Sequence, residues 1–328
     1  MSRYRPGWGA LPMRERCRLI VGLARELADD PPLCFLDWGV IGVAAGWREH
    51  EREGRVSRGR APVLALMVRR KRPMASIAAA RRIPPCWPVT LGQGRSRRRY
   101  QVPIDVCRLP RASAHGPRVA LSNGSGREGA ACVVLEDDVD WRWLLSCHHV
   151  IGDSSVDPGL VPRASLGITL RGRNGLHRLD PLRRFGLLRA GRRKCVDAAL
   201  ARIDPADPVG PADWSRYPHA VADTDAHWKD EARMLSPRGP IRLRFVRHHH
   251  DLTVHYLSGA SAGIRELFEF HAVDAVPQGG DSGSAVLDGE GRWLGMHIAG
   301  DSRASFVLPA YVLLDPNALQ ARYYLSTS

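Results

Sequence analysis

From Met13 to Asp29 the apolar residues Leu19, Ile20, Leu23, Ala24 and Leu27 recur at helical spacing with charged residues opposite, which predicts an amphipathic helix in need of a partner. Two strands are expected next, around Leu36 to Ala44 and Pro62 to Val68, with the polar stretch Arg48 to Arg60 as a long hairpin loop between them. A further strand is expected around Tyr100 to Val106, after the Pro-rich passage Ile83 to Pro88 and the basic run Arg95 to Arg99. Together these elements predict a small α/β module ending near Cys107. The stretch Arg108 to Glu128, rich in Pro, Ser, Gly and Arg, reads as a linker.

From Ala130 onward the pattern changes. Short apolar or alternating runs (Ala131 to Leu135, Trp141 to Leu145, Ala198 to Ile203, Ile241 to Val246, Ser284 to Leu287, Trp293 to Ile298) are separated by Gly, Pro and Asp turns. Many short strands with little helical periodicity argue for an all-β sandwich or barrel. The stretch Asn317 to Leu325 reads as a short closing helix. The expected division is therefore residues 1–111, an α/β module with its linker, and residues 112–328, a β domain.

Composition sharpens this picture only in part. With 328 residues, 44% hydrophobic and 25% charged, the chain has the make-up of a globular protein, and no apolar run reaches the ~20 residues of a membrane span. Charged residues interrupt the first thirty positions, so no secretory signal is read there and a cytoplasmic protein is expected. Seven cysteines, an odd number with none after Cys195, fit free thiols rather than a disulfide framework. The net charge of +14 invites a nucleic-acid reading, but all the positive charges except Lys71, Lys194 and Lys229 are Arg, a skew that GC-rich coding produces without selection for phosphate. Nucleic acid and membrane are not expected partners. The clusters Arg69 to Arg72 and Arg97 to Arg99 read as solvated surface, with docking of an acidic partner as the alternative.

Three segments carry chemistry. LLSCHHVIGD (Leu144 to Asp153) ends an apolar strand in a His pair, CVDAALARI (Cys195 to Ile203) sets one Asp before an apolar strand, and QGGDSGSAVL (Gln278 to Leu287) holds Ser282 in a Gly-flanked turn. Acyl transfer from an amide needs a nucleophile, a base, a group that orients the base and donors for an oxyanion. Ser282, His149 and Asp197 supply the first three, and Gly at 279, 280 and 283 lets the backbone N–H groups of Gly280 and Ser282 converge beside the Ser282 hydroxyl. His148 is the alternative base.

On these segments the chain resembles the trypsin-like, chymotrypsin-fold serine peptidases, as a bacterial intracellular member. The likeness spans roughly Gly126 to Leu314, in the order His, Asp, Ser with separations of 48 and 85 residues. It implies a mainly β fold of two six-stranded antiparallel β-barrels, here preceded by the α/β module, and a serine endopeptidase acting on a protein or peptide through an acyl-enzyme without cofactor or metal. Val150 after the His pair points to His149, because the family's catalytic His directly precedes a small apolar residue or Cys. DWGVIGVAAG, LALMVRRKRP, RIPP and YQVPIDV of the module are similar, less specifically, to a segment preceding the barrel in some bacterial trypsin-like proteins.

The resemblance also implies a substrate pocket from Val276, His297, Ala299 and Gly300. Relatives that cleave after Glu or Gln carry a His in a context similar to that of His297, and Val276 stands where cleavage after Arg or Lys requires an acid. A structural His in that strand is the plainer reading. The run His248 to His250, with His255, reads as a solvated loop or strand edge, since alternate side chains of an extended strand cannot all face one ion. Two further function classes stay open: a catalytically silent barrel that binds without cleaving, and a basic protein that binds nucleic acid or an acidic partner.

Overall fold

The structure is a computed structural model describing residues 7–52, 55–92, 97–110, 112–113, 121–122, 128–151, 168–172, 175–185, 196–214, 216–228, 231–256, 259, 261–319 and 321–327. The chain divides into two compact units, residues 1–110 with 246–251, and residues 111–245 with 252–328. Among the described residues no helix is long and apolar enough to cross a membrane.

The first unit opens with helix α1 (Met13–Asp29), which buries Cys17, Ile20, Ala24 and Leu27 on one stripe. Pro12 precedes it and Pro31 and Pro32 follow, so residues without an N–H bracket the helix. A five-residue helix α2 (Cys34–Trp38) leads into strand β1 (Val40–Arg52), which pairs antiparallel with β2 (Arg55–Val68). α1 packs on this hairpin. Strand β4 (Arg98–Arg108) runs parallel to β2 and pairs antiparallel with β3 (Cys86–Leu91). The parallel pairing requires the long crossover between residues 68 and 98.

The polar stretch expected to loop out between Arg48 and Arg60 is instead mostly strand, carried to Arg52 and resumed at Arg55. Glu49 opposite Arg58, and the Arg58 guanidinium over the Trp47 ring at 4.9 Å, supply the cross-strand pairs that hold a polar ribbon extended.

The second unit holds the short strands β5 (Ala112–Ser113), β6 (Leu121–Ser122) and β7 (Glu128–Gly129), then β8 (Val134–Asp137), β9 (Arg142–Ser146), the turn of helix α3 (His148–Ile151), β10 (Ile168–Gly172), β11 (Gly175–Phe185) and β12 (Ala199–Ile203). After these come β13 (Ala232–Ser236), β14 (Gly239–His249), β15 (Leu252–His255), β16 (Ser261–Ile264), β17 (Leu267–Ala272), β18 (Ala285–Asp288), β19 (Trp293–Gly300), β20 (Ala304–Pro309) and β21 (Tyr323–Leu325).

One antiparallel sheet runs β21-β8-β9-β12-β11-β10-β6-β7 around a core that includes Val133, Trp143, Leu144, Leu145 and Leu200. Six of the other strands close on themselves: β13 pairs β14, β14 pairs β17, β17 pairs β20, β20 pairs β19, β19 pairs β18 and β18 returns to β13. The strands of this closed six-stranded antiparallel barrel carry the buried side chains of Phe245, Phe268, Phe270, Phe306, Met296 and Ile298, and closure leaves it without a free edge. The expected mainly β class is what the second unit shows. The expected C-terminal helix is a short turn at Pro316–Leu319, after which Tyr323–Leu325 pairs with β8.

The last residues of β14 belong to the first unit, where Arg247, His248 and His249 pair with Gly46, Ala45 and Ala44 of β1. His248, His249 and His250 are therefore buried rather than solvated, a departure from the sequence reading.

Candidate active site

Strands β9 and β12 lie side by side with Ala199 opposite Ser146. Asp197 precedes Ala199 by two residues and His149 follows Ser146 by three, so the register delivers both to the same end of the pair. His149 Nδ1 lies 2.7 Å from Asp197 Oδ2, and the His149 backbone N–H donates to Asp197 Oδ1 at 3.2 Å. Of the two adjacent histidines, it is therefore His149 whose ring meets the carboxylate.

Asp197 is fully buried. Burial alone pushes its carboxyl group up, but the charge and hydrogen bonds of His149 outweigh that and hold it below the ordinary carboxylate value. A buried carboxylate needs several donors, and a third is the hydroxyl of Tyr256, which reaches Oδ2 at 3.1 Å.

Ser282 sits in the second of two successive tight turns. The Asp281 N–H donates to the Gln278 carbonyl at 3.1 Å with Gly280 at φ 91°, and the Ser284 N–H donates to the Asp281 carbonyl at 2.9 Å with Gly283 at φ 95°. Each is a type II turn with glycine at the position that requires positive φ. In such a turn the central peptide is flipped relative to type I, so the Gly280 N–H points where the Gly279 carbonyl would otherwise stand.

The turns are tied to the end of β9. Ala130 N–H donates to the Ser282 carbonyl at 2.7 Å, Ser146 Oγ donates to the Ala130 carbonyl at 2.7 Å, and the His297 carbonyl accepts from Gly283 N–H at 2.8 Å and from Cys147 Sγ at 3.4 Å. Ser282 is fully buried, and its Oγ makes no hydrogen bond among the described residues.

Asp281, directly before Ser282, is itself anchored. Its carboxylate accepts from Ser236 Oγ at 2.6 Å, from the Gln278 N–H at 2.7 Å and from the Arg238 guanidinium at 2.5 Å. Ser236 ends β13 and Arg238 stands in the turn before β14, so one hairpin of the closed barrel fixes the Ser282 turn.

The second unit is mainly β and holds a closed six-stranded antiparallel barrel. No family model and no curated protein matches the sequence. Among solved structures, the chain is similar to a Nocardiopsis protease (NAPase) at 14% identity and a TM-score of 0.40, covering 65% of this chain and 99% of that one. It is similar to the MamO protease domain of Magnetospirillum magneticum at 14% identity and a TM-score of 0.33, covering 59% and 92%. The HRV-C 3C protein shows 12% identity and a TM-score of 0.35, covering 58% and 89%.

The expected pocket residues lie on and beside β19. His297 is fully buried, with its Nδ1 2.7 Å from the Ser305 hydroxyl; Ala299 and Gly300 are buried, and Val276 is exposed in the approach to the Ser282 turn. Cys147 Sγ, a His149 ring nitrogen and an Asp197 oxygen lie within 4.8 Å of one another, a set a soft divalent cation could bridge. The close His149 contact already engages that carboxylate, and burial, with the charge of Asp197, pushes the Cys147 thiol well up, opposing the thiolate such an ion needs. The described cysteines, Cys17, Cys34, Cys86, Cys107, Cys132 and Cys147, are free thiols, and Cys195 lies outside the described residues.

Sequence reading missed Tyr256 and Arg238. Alternation along Leu252, Val254 and Tyr256 marks the tyrosine only as inward-facing, and nothing local announces either distant carboxylate.

Proposed function

We propose that the protein is a serine endopeptidase that cleaves peptide bonds through an acyl-enzyme, with Ser282 as nucleophile, His149 as general base and acid, and Asp197 as the group that orients His149. The observation that carries this reading is the 2.7 Å contact between His149 Nδ1 and the fully buried Asp197 carboxylate, at the strand ends to which the Ser282 turn is tied.

Ser282 Oγ attacks the carbonyl carbon of the substrate while its proton passes to His149 Nε2. The resulting oxyanion receives the N–H groups of Gly280 and Ser282. Asp197 accepts the Nδ1–H, which fixes the tautomer and stabilises the imidazolium. The C–N bond breaks as His149 returns the proton to the leaving amine. Water then attacks the ester, His149 takes its proton, and the acid leaves as Ser282 recovers its hydrogen.

His297, fully buried with Nδ1 2.7 Å from the Ser305 hydroxyl, fits a structural role in its strand, and a preference for Glu or Gln before the cleaved bond is the alternative. The apolar Val276 offers no partner to Arg or Lys at that position. The exposed basic cluster Arg69 to Arg72 of the first unit is the proposed docking patch for an acidic partner, whose binding would fall steeply with added salt.

A second reading, a barrel that binds peptides without cleaving them, is favoured by the absence of a hydrogen bond at Ser282 Oγ among the described residues. A fluorophosphonate probe separates the two. Labelling mapped to Ser282 and abolished in Ser282→Ala and His149→Ala supports the peptidase; a folded wild type that takes no label supports the silent barrel.

A further inference from the structure

The Asp197 carboxylate has two oxygens and unequal company. Oδ1 accepts the His149 backbone N–H at 3.2 Å, whereas Oδ2 faces the His149 ring at 2.7 Å and also accepts the Tyr256 hydroxyl at 3.1 Å. Imidazole and phenol thus share one oxygen. Whatever negative charge the phenol O–H draws toward itself is charge the imidazole no longer sees, so the two hydrogen bonds are coupled through a single atom.

Tyr256 is placed firmly enough for this coupling to matter. It follows β15, whose residues alternate buried Leu252 and Val254 with exposed Thr253 and His255, and it continues the buried side. Its carbonyl accepts the Gly259 N–H at 3.0 Å, with Gly259 at φ 82°, so a tight turn fixes its backbone directly after the strand. Its ring lies 5.5 Å from the His149 ring, tilted by 59°, and so bounds one side of the imidazole as well as reaching behind it. The tyrosine stands 59 residues from Asp197 in sequence, directly after a strand that supplies nothing else to the site described above.

We propose that Tyr256 is a positioning residue of this site: its hydroxyl holds the Asp197 carboxylate in place, and the strength of that one hydrogen bond sets the carboxylate's hold on the His149 ring and with it the pH dependence of Ser282 labelling. This rests on the serine-peptidase reading. The sign follows from charge. A hydroxyl donating to Oδ2 disperses the carboxylate charge and weakens its hold on an imidazolium; removing the hydroxyl strengthens that hold, and the onset of labelling moves to higher pH. A more acidic phenol donates more strongly and moves the balance the other way.

The test uses the full chain and two changes of opposite sign, with the rate of Ser282 labelling by a fluorophosphonate measured across pH. Tyr256→Phe keeps the ring and deletes the donor; the acid limb of the profile is expected to move to higher pH and the plateau rate to fall about tenfold, the order expected for one lost hydrogen bond to a charged group. Incorporation of 3-fluorotyrosine at position 256 keeps shape and donor but strengthens the donor, and the limb is expected to move to lower pH. The downfield proton resonance of the His149 Nδ1–H should shift in opposite directions in the two proteins, which a loss of packing would not produce. If the fluorinated protein and Tyr256→Phe both keep the wild-type pH profile, the inference is overturned while the peptidase reading stands. If the wild type takes no label at any pH, the peptidase reading falls and this inference with it. The fluorinated protein alone decides the matter if Tyr256→Phe does not fold.

Discussion

The Arg238 guanidinium donates to the Asp281 carboxylate at 2.5 Å, and Asp281 immediately precedes Ser282. Ser236 Oγ and the Gln278 N–H occupy the same carboxylate, so a side chain within this chain's own barrel anchors the type II turn that orients the Gly280 N–H. Arg238→Ala leaves the buried Asp281 without that cation, and the turn loses one of its three anchoring contacts. Turnover is expected to fall by roughly 10²-fold, the order lost with one oxyanion donor, with KM for a small ester little changed. Arg238→Lys should recover part of that loss. A kcat unchanged in Arg238→Ala would show that the turn holds without it.

Asp197→Asn keeps the size of the side chain but replaces an acceptor by an amide that can bind His149 in the wrong tautomer. The labelling rate at Ser282 is expected to fall roughly 10⁴-fold at neutral pH. Because the folded carboxyl lies below its ordinary value, its ionised form also stabilises the fold: that contribution is present above the ordinary carboxylate value of 3.8 and is lost as pH falls through the lower folded value. Wild type and Asp197→Asn should therefore converge in melting temperature as the pH drops through that range. A gap that stays constant would assign the stabilisation to something other than the charge.

Gly283 tolerates no side chain. A Cβ there would lie 2.0 Å from the Ala130 carbonyl oxygen and 2.5 Å from Ser146 Oγ, at a φ of +95°. Backbone and a hydrogen-bonded hydroxyl form this wall, so Gly283→Ala combines overpacking with a strained φ and is expected to cost more than about 3 kcal/mol. Urea denaturation followed by tryptophan fluorescence measures it directly. A loss under about 1 kcal/mol would mean that the two turns are free to rearrange.

How much of this was legible depended on whether the signal was local. α1 was read to its observed bounds because a single buried stripe and flanking prolines define it within seventeen residues. His149, Asp197 and the Ser282 turn were legible because each carries its own short motif, and the pairing of Ala199 with Ser146 closes the distance between the first two. The polar ribbon after Trp47 misled because Arg58, opposite Glu49 and over the Trp47 ring, makes cross-strand contacts that periodicity does not show. The His248 to His250 run misled for a related reason: pairing with β1 buries residues whose polarity advertised solvent. Arg238 and Tyr256 gave no signal, since each matters through a partner 43 or 59 residues away.

His177 lies between two carboxylates, Nδ1 at 3.0 Å from Asp207 and Nε2 at 2.9 Å from Asp213, and so ties β11 to the loop that follows β12. Burial works to lower the imidazole's proton affinity, but the hydrogen bonds and charges of the two aspartates outweigh it and hold the folded value above the ordinary 6.5. The stabilisation is fully present below that ordinary value and is lost as pH rises through the higher folded one. Asp207 shows the converse. The Arg178 N–H and then His177 lower its carboxyl, so its contribution is present above the ordinary 3.8 and is lost as pH falls through the lower folded value. The clamp is thus strongest between the two ordinary values. His177→Gln keeps a neutral polar group that does not titrate, and melting curves of the two proteins should differ most near about pH 5.5 and converge by about pH 9. A difference that persists unchanged into alkaline solution would make packing around the ring, and not its charge, the stabilising contribution.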